Sequence, residues 1–282
     1  MNNPLLSIVI ANYNYGRFLE AAIKSVVHQD GFDKCELIIV DGGSADNSVE
    51  IIKKYEDKIA WWVSEKDKGQ SDAFNKGFAQ AKGRFLTWLN ADDVMLPGVI
   101  EKLKRAEEKH PKCEWFVGGV LWLDPEMKVI QCRRAAPMSR IRLYSGHVGV
   151  WGPSSFFTKR LLDVVGGVDE RFHYAMDGDL WHKFAYLQSA RYVVMADYAW
   201  GLRLHEDAKM SGQKFDPQKK DPNHPRWKQL RQENEWISEH YKPKYRMNGL
   251  LRILSISYFR AILSRIDSMI FRGKYYRKNF KG

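Results

Sequence analysis

Cysteine is scarce in this 282-residue chain. Cys35, Cys113 and Cys132 form an odd set without metal-ligand spacing, which excludes a disulfide-dense scaffold and a cysteine zinc site and fits a reduced compartment. Long hydrophobic runs are missing too. A membrane-spanning helix needs ~20 uninterrupted apolar residues. The nearest stretch, 250–271, is broken by Arg252, Arg260, Arg265 and Asp267, so no span is expected. Met1-Asn2-Asn3-Pro4 leads straight into a strand-like run, so no signal peptide is expected and a cytoplasmic location is. No internal repeat is visible, which argues against a solenoid or array.

Acidic residues are lacking in one place. From Lys242 onward there are eleven Lys or Arg residues against the single acid Asp267, a net +10 out of +11 for the whole chain. The preceding body is therefore nearly neutral, which argues against a surface that coats nucleic acid.

What is present is an alternation of short apolar runs with amphipathic stretches. Strands are expected over 5–10, 36–40, 59–63 and 85–89, and helices over 18–29, 47–55 and 71–81. Such alternation predicts an α/β fold, a Rossmann-like and mostly parallel sheet with helices on both faces. The second half is less regular, with strands expected over 115–123, 128–133, 155–158, 191–195 and 198–204 and helices over 160–165 and 180–187. The division expected is one α/β domain over 1–210, a mobile Lys-, Asp- and Pro-rich loop over 211–225, and a basic amphipathic helical tail over 226–282.

In open α/β sheets ligands collect beyond the carboxyl ends of the strands, where this chain has its polar clusters. Asn90-Ala91-Asp92-Asp93 follows the fourth strand. Adjacent carboxylates repel unless solvent or a cation screens them, and Mg²⁺ or Mn²⁺ bridges a carboxylate to a diphosphate through hard oxygen ligands. A solvated turn and helix cap is the plain alternative. Asp41 closes the second strand before Gly42-Gly43, either as a partner for a base or ribose or as an ordinary Asp-Gly turn. Asp67, Lys68, Gly69, Gln70, Asp72 and Asn75 follow the third strand, as a ligand-facing cluster or as helix capping.

Four segments together resemble glycosyltransferase family 2. They are Ser7-Ile8-Val9-Ile10-Ala11-Asn12-Tyr13-Asn14, Ile39-Val40-Asp41-Gly42-Gly43-Ser44-Ala45-Asp46, Gly69-Gln70-Ser71-Asp72-Ala73-Phe74-Asn75-Lys76-Gly77 and Trp88-Leu89-Asn90-Ala91-Asp92-Asp93. The likeness continues to about Lys209. It implies the A-type glycosyltransferase fold and a nucleotide-diphosphate sugar donor. Asp41 would bind the base, Asn12, Tyr13 and Asn14 would line the nucleotide pocket, and Gln70, Asp72 and Asn75 would belong to the donor side. Asp92 would lie near the donor ribose, and Asp93 would ligate Mn²⁺ or Mg²⁺.

His173-Tyr174-Ala175-Met176-Asp177-Gly178-Asp179-Leu180-Trp181 resembles the catalytic segment of that family, with Met176 where its first acid usually stands. Asp177 keeps the place of the general base, which takes the proton of the acceptor hydroxyl. Arg203-Leu204-His205-Glu206-Asp207-Ala208-Lys209 resembles the late motif, with His205 as a further metal ligand and Lys209 at the diphosphate. A base opposite the leaving group implies inversion. The acceptor would be a glycan or a lipid-linked glycan, as in cell-surface polysaccharide or glycolipid synthesis. Apolar residues at helical spacing between Leu250 and Ile270, punctuated by arginine, suit peripheral contact with an anionic membrane on the inner face of the cell membrane. Two rival readings are a nucleotide-sugar-binding protein that has lost catalysis at Met176 and a sugar-phosphate nucleotidyltransferase. The latter calls for a Gly-rich, Arg-containing loop after the first strand, which Asn12-Tyr13-Asn14-Tyr15-Gly16-Arg17 does not supply.

Overall fold

Side chains of the first strand sort by parity. In β1 (Leu6–Asn12), Leu6, Ile8 and Ile10 pack with Leu19, Ile23 and Val26 of α1 (Gly16–Val27). Val9 points the other way, toward Phe74 and Phe78 of α3 (Gln70–Gln80). The strands β2 (Cys35–Asp41) and β4 (Phe85–Asn90) divide in the same manner, the period-2 pattern of a sheet covered on both faces. The computed structural model describes residues 3–136, 149–150, 152–187, 192–209 and 225–241. The loop expected over 211–225, except Pro225, which starts a helix, and the basic amphipathic stretch beyond 241 lie outside them.

With β3 (Trp61–Ser64), the N-terminal strands run β3-β2-β1-β4, all parallel. Beyond β4 the sheet is mixed. Strand β8 (Ser155–Thr158) lies antiparallel between β4 and β6 (Trp115–Leu123), and β9 (Tyr192–Arg203) runs parallel to β6. Strand β5 (Val94–Met95) closes antiparallel on β9, and β7 (Val129–Arg133) pairs antiparallel with β6. The expected α/β architecture is present. One face carries α1, α2 (Ser48–Lys54) and α4 (Val99–Lys109); the other carries α3, α5 (Lys159–Val164), α6 (Met176–Tyr186) and α7 (Pro225–Tyr241).

Several elements differ from expectation for identifiable reasons. Helix α4 was not marked by periodicity, because its buried residues Val99, Ile100 and Leu103 sit at one end of an otherwise charged segment. The two strands expected over 191–204 are one strand, β9, which follows β6 through register shifts around Gly119. Helix α6 begins at Met176 rather than near Leu180, so Asp177 and Asp179 stand in its first turn. Helix α7 starts at Pro225, a favourable first position, and docks on α6, with Ile237 and Tyr241 in the same apolar cluster as Leu180, Trp181 and Phe184.

Three tryptophans join α6 to the sheet. Trp181 of α6 stacks on Trp88 of β4 with ring centroids 5.2 Å apart and planes 3° apart, and on Trp115 of β6 at 5.8 Å. Trp181 and Trp88 are each 2% exposed. Stacked aromatic pairs add ~0.5–1.5 kcal/mol beyond area burial. Trp181→Ala is expected to lower unfolding stability by about 3–5 kcal/mol, readable as a reduced urea midpoint.

Candidate active site

A cleft of about 520 Å³ opens beyond the carboxyl ends of β1 and β4. Five parts of the chain supply its walls: Asn12 and Tyr13 after β1, Gln70 at the start of α3, Asn90 to Asp93 after β4, Tyr174 to Asp177 at the start of α6, and Asp207 to Lys209 after β9. Arg226, from the first turn of α7, adds a cation.

The two adjacent acids have different surroundings. Asp93 is 2% exposed, and both its oxygens are engaged: Oδ1 accepts from the Arg203 backbone N–H at 3.0 Å and Oδ2 from Asn90 Nδ2 at 2.8 Å. Burial, then the Asp92 charge, pushes its carboxyl well above the ordinary range. Asp92 is less buried, and its Oδ2 lies 3.1 Å from Nε2 of His205. The His205 ring is packed 4.3 Å from Phe18, centroid to centroid, and its Nδ1 is buried without a hydrogen-bond partner. Asp92 and His205 converge, and among the described residues no cluster of three His, Cys, Asp or Glu side chains joins them.

A chain of hydrogen bonds crosses the cleft floor. Lys209 Nζ donates to Gln70 Oε1 at 3.1 Å, Gln70 Nε2 to Asn90 Oδ1 at 2.8 Å, and Asn90 Nδ2 to Asp93. Asp177 also lines the cleft, and its Oδ1 accepts from the Gly178 N–H at 2.7 Å. Burial raises its pKa, opposed by that bond and by the Lys209 charge. Burial lowers Lys209 to about 8, against the pull of Glu233 and Asp177. Its ammonium lies 5.3 Å from the Tyr174 ring centroid. Met176, in place of the first acid, is 7% exposed and packs its sulfur 3.1 Å from Ser71 Oγ.

Four other expected site residues, Asp41, Asn14, Asp72 and Asn75, make hydrogen bonds or ion pairs within the protein. Asp41 is fully buried and accepts from Asn12 Nδ2 (2.6 Å), Ser44 Oγ (2.5 Å), Ser44 N (2.9 Å) and Ser64 Oγ (2.6 Å). Burial pushes its pKa up, but the hydrogen bonds outweigh it and hold the carboxyl below its ordinary value. Asn14, at a left-handed φ of 56°, turns from the cleft to accept from Ala45 N, while its own N–H donates to Ser44 Oγ. Asp72 accepts from Lys68 N and pairs with Lys76. Asn75 clamps Val168 through both its backbone N–H and C=O. Asn12, Tyr13, Gln70, Asp92, Asp93, Asp177 and Lys209 line the cleft, with His205 behind Asp92. Sequence reasoning quoted Tyr174 within the catalytic segment without giving it a role and passed over Arg226, since no local pattern marks a residue that reaches the cleft from a separate helix.

The family model described as "Glycosyl transferase family 2" matches residues 7–118. A glycosyltransferase of Mycobacterium tuberculosis is 33% identical over 176 residues, covering 62% of this chain and 66% of that protein. A glycosyltransferase of Nostoc sp. is 42% identical over 102 residues, covering 35% and 31%. Both are named uncharacterized glycosyltransferases. The match thus spans less than two thirds of the length of either relative. Among solved structures, S. aureus TarS 1-349 in complex with UDP-GlcNAc shares the fold with a TM-score of 0.57 at 19% identity, over 72% of this chain and 59% of that one. The Pyrobaculum calidifontis mannosyltransferase PcManGT, in complex with GDP-Man and Mn²⁺, has a TM-score of 0.56 at 16% identity, over 96% and 81%. The fold is therefore that of the A-type glycosyltransferases.

Lys209 carries its charge below a pH of about 8 and loses it above. Because burial depresses this value from 10.5, the unfolded chain holds the proton more firmly, and the residue's contribution to stability rises with pH from about 8 to 10.5. Affinity for inorganic pyrophosphate, measured by calorimetry, should fall as pH rises through that lower value, and Lys209→Met should flatten this limb.

Proposed function

We propose that this chain, similar over residues 7–118 to glycosyltransferase family 2, transfers a sugar, with inversion, from a nucleoside-diphosphate sugar to an acceptor hydroxyl, with a divalent cation at the diphosphate. The observation that carries this reading is the placement of Asp92, Lys209 and Asp177 around a single cleft. The UDP-GlcNAc and GDP-Man–Mn²⁺ complexes of proteins with the same fold support the donor class and the cation.

Asp92 and His205 are the residues that would hold Mn²⁺ or Mg²⁺. Asp93, whose oxygens are committed to Arg203 and Asn90, is assigned instead to supporting the Asp92 turn. One carboxylate and one imidazole suit such an ion, whose remaining ligands would come from diphosphate oxygens and water. When bound, the cation offsets charge on the departing nucleoside diphosphate. The Lys209 ammonium supplies a second positive charge toward the same oxygens. Asp177 accepts the proton of the acceptor hydroxyl, and its burial, by raising its proton affinity, makes it a better base. The donor-facing role of Asp41 is indirect: with its oxygens held by Asn12, Ser44 and Ser64, it shapes the loops beside Tyr13.

The acceptor is assigned as a glycan or lipid-linked glycan of cell-surface polysaccharide or glycolipid synthesis, with the basic stretch beyond residue 241 at the inner membrane surface. Among the described residues no helix is long and apolar enough to cross a membrane.

Thermal unfolding of the full chain with a panel of UDP- and GDP-sugars, with and without Mn²⁺, tests the donor assignment. A true donor at a hundredfold excess over its Kd stabilises by about 2.7 kcal/mol. Asp92→Ala and His205→Ala should each lose the Mn²⁺-dependent part; an unchanged cation effect in both would remove the site. Asp177→Asn should keep donor binding and lose about 10²–10⁴-fold in transfer rate. Turnover at the wild-type level in that variant would refute the base assignment.

A further inference from the structure

We propose that Glu233, on α7, is a positioning residue for Asp177, its carboxylate holding the three backbone N–H groups that lead into the helix carrying the base. This inference rests on the reading of Asp177 as general base. Glu233 is 8% exposed. Its Oε1 accepts from the His173 N–H at 2.9 Å, and its Oε2 from the Tyr174 and Ala175 N–H groups, each at 2.8 Å. Gln229, one turn earlier on α7, donates its side-chain amide to Oε1 at 3.1 Å.

A helix N-terminus leaves backbone donors without intrahelical partners, and a Ser, Thr, Asp or Asn at the cap position ordinarily satisfies one. The cap residue of α6 is Ala175, whose side chain makes no such bond. A carboxylate 58 residues beyond Ala175 instead engages three successive donors just ahead of the first turn, those of His173, Tyr174 and Ala175. Bonds to a charged acceptor are roughly twice as strong as neutral ones, and an anion at this end also suits the helix dipole. The segment held is functional on both sides. Tyr174 lines the cleft, and Asp177 follows Ala175 by two residues.

The remainder of α7 grips the same helix. The buried residues of α7 are Glu233, Ile237 and Tyr241, spaced four apart on one face. Ile237 Cδ1 lies 3.8 Å from where a Cβ on Gly178 would stand. The Tyr241 hydroxyl donates to Asp179 Oδ1 at 2.8 Å. Packing by Ile237 and Tyr241 would hold α6 whatever stood at 233; the carboxylate at 233 holds the bent approach into its first turn.

The test compares the full chain with Glu233→Gln and, as a packing control, Ile237→Ala. Three quantities are read well below the Lys209 value of about 8: kcat for transfer, Kd for the donor with Mn²⁺, and amide hydrogen exchange over 172–178. Glu233→Gln should lower kcat about tenfold or more, with donor Kd within about twofold of wild type. Exchange over 172–178 should rise. Ile237→Ala should lose stability yet keep kcat within about twofold. Wild-type kcat and exchange in Glu233→Gln would overturn the proposal. So would equal losses of kcat and donor affinity in both variants, which would make Glu233 merely part of the packing. A failure of the base assignment appears separately, as wild-type turnover in Asp177→Asn, and the exchange measurement then still decides whether Glu233 holds the segment.

Discussion

The tryptophan stack is the contact on which the site depends. The acids of the cleft follow β4, the proposed base stands on α6, and nothing in the backbone joins these elements directly. Trp88 precedes Asn90 by two residues, and Trp181 follows Asp177 by four, one helical turn. The two rings lie nearly parallel at 5.2 Å, with Trp115 and Phe184 around them. Close-packed interiors resist small displacements. The stack therefore holds α6, which carries Asp177, against β4, which leads to Asp92.

Around that stack the polar groups divide between holding and reacting. Asp41 and Asp93 are buried carboxylates spent on protein donors; they tie β1 to β2 and the Asp92 turn to β9. A buried acid with several good hydrogen bonds is a rigid joint, and removing its partners leaves an uncompensated charge. Asp92, Asp177 and Lys209 keep access to the cleft. The hydrogen-bonded chain from Lys209 through Gln70 and Asn90 to Asp93 connects the two classes across the cleft floor.

Helix α7 belongs to this arrangement although it lies far along the chain. It contributes Arg226 to the cleft wall and Glu233 to the approach of α6. The segment from 226 that composition assigned to a tail thus begins, as far as Tyr241, by packing on the catalytic body.

Local sequence determined a good deal of this protein. Period-2 apolar runs placed β1, β2 and β4, and helical spacing placed α1 and α3, because the parity of a two-faced sheet and the 3.6-residue turn act over a few neighbours. The same locality put Asn12, Gln70, Asp92 and Asp177 at strand and helix ends, where a parallel sheet gathers its ligands. Only the tertiary structure gave Asp92 and Asp93 different surroundings. Adjacent acids look alike in sequence, and what separates them is the Arg203 N–H, 110 residues away, that claims one and not the other. The start of α6 was likewise invisible, since Ala175 carries no cap signal and its donors are satisfied by Glu233, 58 residues on. Hydrogen bonds of such sequence separation leave no periodicity to read; they exist only once the chain has folded.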